Sequence, residues 1–164
     1  MRHRRSGHVI NISSIAGIVG YSFSSIYCAS KFAMTGWSEA LSSELEPFGI
    51  KVTVVHPGRF RTNFLDSSSM HNGDLKIPDY EQVSSESSSA LEAANHQQAG
   101  DPKKFGAAIR QIVASAKPPI RFGAGTDATT TILGKADSLR ETTEAWRELS
   151  ASTDIKYQVS VVSH

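Results

Sequence analysis

The sequence predicts an α/β fold, part of a doubly wound parallel sheet with about three strands and flanking helices. Three observations point there. Two short runs rich in β-branched residues, one around Val9, Ile10 and Ile12 and one from Ile50 to His56, read as parallel strands buried on both faces. Between them, apolar residues recur at steps of three and four from about Tyr27 to Phe48, the period of a helix. Two further helical patterns flank a short extended piece, Pro118 to Gly123.

Each element can be justified in order. Met1 to Ser6 reads as the frayed end of a preceding helix, and the Gly7 to Ser13 strand is broken by Ser13, Ser14 and Gly17. On the first long helix Ala33, Trp37, Leu41, Leu45 and Phe48 form the expected packing stripe, and Pro47 and Gly49 end it. Pro57-Gly58 turns the chain at the carboxyl end of the second strand. Residues 66–100 are polar and serine-rich, the composition of a lid, binding loop or disordered segment, with a short helix around Ser89 to His96. Asp101-Pro102 is an N-cap followed by proline at the first helical position, and Phe105, Ile109, Ile112 and Val113 continue as a stripe. The Pro118 to Gly123 piece suits a third strand at a sheet edge, where proline is tolerated. Gly123-Ala124-Gly125 reads as a turn. Asp127 is expected to cap a last long helix, whose Ile132, Ala136, Leu139, Trp146 and Leu149 are expected in the core. Residues 1–154 make one domain, and 155–164 form a tail read as disordered.

Composition excludes several functions. A formal charge of +1 over 164 residues provides no field for nucleic acid, although Met1 to Arg5 is locally basic. No run approaches the ~20 apolar residues that cross a bilayer, so a cytoplasmic protein without a membrane partner is expected. The single cysteine, Cys28, allows no internal disulfide and suits a reducing compartment; it reads as a small buried hydrophobe rather than a nucleophile. The six histidines show no metal-ligand spacing, so no metal is expected.

The chemistry gathers between Ser14 and Lys31. Tyr27 and Lys31 stand four apart, which on a helix puts both on one face. A phenol is a poor proton carrier at neutral pH, but a cation within about 4–6 Å favours its anionic form. Lys31 would supply that cation. Ser14 closes a strand, where open α/β sheets bind ligands, and its hydroxyl could hold a substrate oxygen while Tyr27 moves a proton. Singly, these residues have duller explanations as a cap, a packed ring and a solvated ammonium. Their joint order is the signal.

Asn11-Ile12-Ser13-Ser14 with Gly17, then Tyr27-x-x-x-Lys31 thirteen residues after Ser14, resembles the catalytic half of the short-chain dehydrogenase/reductase family. Lys51 to Gly58 followed by Thr62 is similar to the family's next strand and its nicotinamide-contacting turn. The resemblance implies a partial Rossmann-like sheet, NAD or NADP as cofactor, and a secondary alcohol or ketone as small-molecule substrate. It implies Ser14, Tyr27 and Lys31 as catalytic residues, and Tyr27, Lys31, Pro57, Gly58 and Thr62 as cofactor contacts. It also implies substrate-covering helices within 66–100 and a homo-oligomer for the full-length enzyme.

The family's glycine-rich turn has no counterpart ahead of Ser14, since only Gly7 precedes it. The chain is therefore expected to be the C-terminal portion of a longer enzyme, with little or no activity alone. The alternative is a non-catalytic fragment or interaction module that keeps the catalytic residues as relics. A weaker option is epimerisation or dehydration on the same scaffold.

Overall fold

The structure, a computed structural model, describes residues 1–70 and 77–155. Three parallel strands form one sheet: β1 (Gly7–Ile12), β2 (Ile50–Pro57) and β3 (Arg121–Ala124), in spatial order β1-β2-β3. The register pairs Gly7 with Ile50 and Ile12 with Val55, then Val54 with Arg121 and Pro57 with Ala124. All three strands run the same way, so their carboxyl ends share one edge.

The helices are α1 (Ser25–Leu45), α2 (Pro78–Ala94), α3 (Pro102–Ala114), α4 (Thr126–Ala145) and a short α5 (Arg147–Ala151). Among the described residues no helix is long and apolar enough to cross a membrane.

Strand β2 is the centre of the core. Val52, Thr53, Val54, Val55 and His56 are all buried, with the last four fully so. Strand β1 differs from the expectation of burial on both faces: every residue from Gly7 to Asn11 is only half-buried, and Ile12 is 44% exposed. Among the described residues it has one strand neighbour, which leaves its other edge and part of its surface open there.

The packing face of α1 is also not the expected stripe. Ala33 is exposed and Trp37 is 58% exposed, while Cys28, Thr35 and Ser38 are the buried residues of the helix. These small side chains let the helix lie close to the sheet and join it by hydrogen bonds. Asn11 Nδ2 donates to Ser38 Oγ at 2.9 Å, and Ser13 Oγ donates to the Lys31 carbonyl at 3.1 Å. Hydropathy spacing located the helix; the polar residues of β1 chose its inner face.

Other elements follow their local chemistry. Asp101 caps α3 as expected, its Oδ1 accepting from Lys103 N at 2.7 Å, and Pro102 opens the helix. On that helix Ile112 is buried, but Val113 is exposed. The helix in the 66–100 segment is longer than expected, starting at Pro78 with Asp79 and Glu81 in its first turn, where carboxylates favour the helix dipole. Strand β3 forms the far edge but begins at Arg121, and Gly123-Ala124 belongs to it rather than to a turn. In α4, Ala128 is fully buried and Ile132 half-buried, whereas Ala136 and Leu139, with Trp146 just past its end and Leu149 in α5, are exposed rather than core. The 155–164 tail lies outside the described residues beyond Ile155.

Candidate active site

The carboxyl edge of the sheet carries the site. Ser13 N donates to the Val55 carbonyl at 2.8 Å, which extends the β1–β2 pairing one residue past Ile12. Ser14 then leaves the sheet and opens a one-turn 3₁₀ segment, Ile15–Gly17, with its Oγ accepting from Ala16 N at 3.1 Å. Gly17 lets that turn press onto α1, because a Cβ there would stand 2.6–2.7 Å from Ser13 Oγ, the Lys31 carbonyl and Thr35 Oγ1. The serine is thus fixed both to the sheet and against the helix that carries Tyr27.

Tyr27 lies in the first turn of α1 and Lys31 one turn later. Lys31 Nζ is 5.7 Å from the centroid of the Tyr27 ring and donates to the Ile12 carbonyl at 3.4 Å. One residue, Ser13, separates Ile12 from Ser14, so the ammonium bridges the phenol's helix and the serine's strand. Both side chains are half-buried, leaving them accessible.

His56, the penultimate residue of β2, locks the serine's backbone. Its Nδ1 lies 3.0 Å from the Ser14 carbonyl, and since a carbonyl only accepts, Nδ1 carries the proton. Burial holds the His56 imidazole below its usual value, partly opposed by this bond, so the ring is neutral at pH 7.

The turn after β2 is held from α4. Gly58 N donates to the Ala124 carbonyl at 2.9 Å, and Arg59 N donates to Asp127 Oδ2 at 2.7 Å. A Cβ on Gly58 would overlap the Asp127 carboxylate, so glycine lets that side chain lie against the turn. Thr62 Oγ1 accepts from Phe64 N at 3.3 Å and caps a 3₁₀ turn, Asn63–Leu65. The Phe64 ring then meets the Tyr27 ring at 5.9 Å between centroids. That contact brings the Thr62 segment beside Tyr27.

Tyr27, Lys31 and the backbone of Ser14 are therefore linked at one edge, with Pro57, Gly58 and Thr62 on the strand and turn beside them. Such a set can hold an oxygen-bearing small molecule and exchange a proton with it. A family model described as short chain dehydrogenase matches residues 1–73, the span that contains all six residues. The chain belongs to the short-chain dehydrogenase/reductase family.

Among its relatives, a 3-ketodihydrosphingosine reductase from Bacteroides thetaiotaomicron is 42% identical over 76% of the chain and 46% of that protein. Retinol dehydrogenase 8 from Bos taurus is 33% identical over 83% of the chain and 45% of that protein. A solved short-chain dehydrogenase from Streptomyces avermitilis superposes with a TM-score of 0.78 at 37% identity, covering 94% of this chain and 55% of that one. A Burkholderia phymatum family structure in complex with NAD shares the fold at a TM-score of 0.66 and 15% identity, covering 98% of this chain and 54% of that one. The chain spans about half the length of the curated relatives it matches.

Sequence reasoning missed two supporting residues of this dehydrogenase-family site. His56 was visible as a polar residue inside an apolar strand beside Pro57. Asp127 was read as a helix cap, but the helix is capped by Gly125 and its carboxylate reaches back to the β2 turn. The signal was its place just past the carboxyl end of β3, the edge where this sheet class binds ligands.

Proposed function

We propose that the protein is an NAD(P)-dependent oxidoreductase that interconverts a secondary alcohol and a ketone by hydride transfer. The observation that carries this reading is the Lys31 ammonium, 5.7 Å from the Tyr27 ring centroid and bonded to β1 two residues before Ser14.

The donor set suits the nicotinamide end of a dinucleotide. Lys31 has one weak backbone bond and protons to spare for ribose hydroxyls, Thr62 offers a hydroxyl for the carboxamide, and Gly58 leaves no side chain between turn and ligand. The cofactor, when bound, supplies or accepts the hydride. Everything else falls to the chain. Ser14 Oγ accepts from Ala16 N, which leaves its own proton free to hold the substrate oxygen. Tyr27 gives that oxygen a proton during reduction and takes it back during oxidation. The Lys31 charge stabilises the negative charge that grows on the phenol oxygen as the proton leaves.

A fluorescence titration of the purified protein with NADH and NADPH tests the cofactor, and Tyr27→Phe tests the chemistry. In the full-length enzyme the expected result is binding of at least one nucleotide, with turnover of a secondary alcohol lowered roughly 10²- to 10⁴-fold by Tyr27→Phe, whereas the 164-residue chain alone is expected to show little or no activity. Full turnover in that variant overturns the assignment.

A further inference from the structure

We infer that Asp127 is a positioning residue for the nicotinamide-seating turn, acting through the backbone of Gly58 and Arg59; this rests on the reading of the site as a dehydrogenase. Two observations carry it. The first is the hydrogen bond from Arg59 N to Asp127 Oδ2, 2.7 Å long, which crosses 68 residues of sequence. The second is the close approach of the two segments at Gly58, where a Cβ would stand in the place of the same carboxylate and push that side chain off the turn. Oδ1 meanwhile accepts from Ala128 N at 2.9 Å, so the two oxygens tie the first turn of α4 to the turn after β2.

The rest of the segment is tied from other directions. Gly58 N is bonded to the Ala124 carbonyl, and Arg61 N to the Gly100 carbonyl at 2.9 Å. Gly100 N returns a bond to the Arg59 carbonyl at 3.1 Å. The amide of Arg59 is the one in this run held by a side chain, and an ionised acceptor makes the stronger kind of hydrogen bond. Removing that acceptor frees the middle of the turn while leaving its flanks attached. Asp127 is exposed, so it sits at the rim beside the turn and does not enter the hydrocarbon core. Its role is geometric, since a turn displaced by about 1 Å is enough to weaken a positioned ligand and its chemistry.

Two variants separate this role from simple helix capping. Asp127→Asn keeps an oxygen that can accept from Arg59 N. Asp127→Ser can still bond within the first turn of α4 but is too short to reach Arg59. Affinity of the full-length enzyme for NADH and NADPH is read by fluorescence titration, alongside the thermal midpoint and hydrogen exchange of the Arg59 amide. The expected result is affinity within about threefold of the parent for Asp127→Asn and a loss of about tenfold or more for Asp127→Ser. The Arg59 amide should exchange faster only in the serine variant. Equal affinity in Asp127→Ser and the parent overturns the inference alone, as does an unchanged Arg59 amide. A parent protein that binds neither nucleotide overturns the dehydrogenase reading, and this inference with it.

Discussion

Helices α1 and α4 are nearly equal in length, 21 and 20 residues, and both pack on the sheet, yet they are held in opposite ways. The inner face of α1 is joined to Asn11 of β1 and to Ser13 just past it over about two turns, through the Lys31 carbonyl, Thr35 and Ser38, with Thr35 and Ser13 hydroxyls 3.3 Å apart. Among the described residues α4 engages through its first turns, by Asp127, Ala128 and Ile132, and Trp146 at its end is 60% exposed. Hydrogen bonds between buried polar groups fix one helix in one register, because a slip would leave each group unpaired. The helix that carries Tyr27 and Lys31 is the one built that way. The other contributes a single carboxylate, so its remaining length is free of that constraint.

Disturbing the α1 contact should have the largest effect. Gly17→Val places atoms where Ser13 Oγ, the Lys31 carbonyl and Thr35 Oγ1 already stand, and overpacking of this kind costs about 1–3 kcal/mol or more. Urea unfolding should show that loss. Turnover should fall with it, as the Ser14 turn is pushed off the helix.

Ser38→Ala is a subtler break. It leaves the half-buried Asn11 Nδ2 without its acceptor, an expected loss of about 0.5–1.5 kcal/mol by thermal or urea unfolding. A neutral outcome would mean that the bond does not hold the register of α1.

The pH dependence probes the sheet end of the same contact. Burial lowers the proton affinity of His56 and of His8, with Lys51 adding to the effect at His8. Unfolded, each imidazole takes up a proton near pH 6.5, whereas folded it resists doing so until lower pH. Stability should therefore be complete above about pH 6.5 and decline as pH falls below it. His56→Asn, which keeps a donor for the Ser14 carbonyl, should flatten that decline in unfolding measured at about pH 7.5 and about pH 5.5. An unchanged slope would remove His56 from the account.

The smallest change belongs to α4. Trp146→Ser and Leu139→Ser alter exposed side chains and should move stability by no more than about 0.5 kcal/mol. A larger loss in purified protein would show that the outer half of α4 has a packing partner, which would erase the contrast with α1.

Much of the site was legible beforehand because its signals are local. Tyr27 and Lys31 need only a helical period, Ser14 needs only a strand end, and Pro57-Gly58 needs only turn chemistry. Helix faces were less legible. On α1 the hydropathy stripe pointed to Ala33 and Trp37, while the buried side carries Thr35 and Ser38, whose partners lie 22 and 27 residues away on β1. On α4 the stripe was equally periodic, but a periodic face is buried only when another element covers it.

Within the sequence itself lay the α/β class, the three strands, the family resemblance and the identities of Ser14, Tyr27, Lys31, Pro57, Gly58 and Thr62. Tertiary structure alone decided that α1 meets the sheet through hydroxyls and that Asp127 reaches the β2 turn. The physical reason is range: dihedral preference and hydropathy period act over a few residues, whereas a buried polar group is satisfied by whichever distant segment the fold brings within about 3 Å.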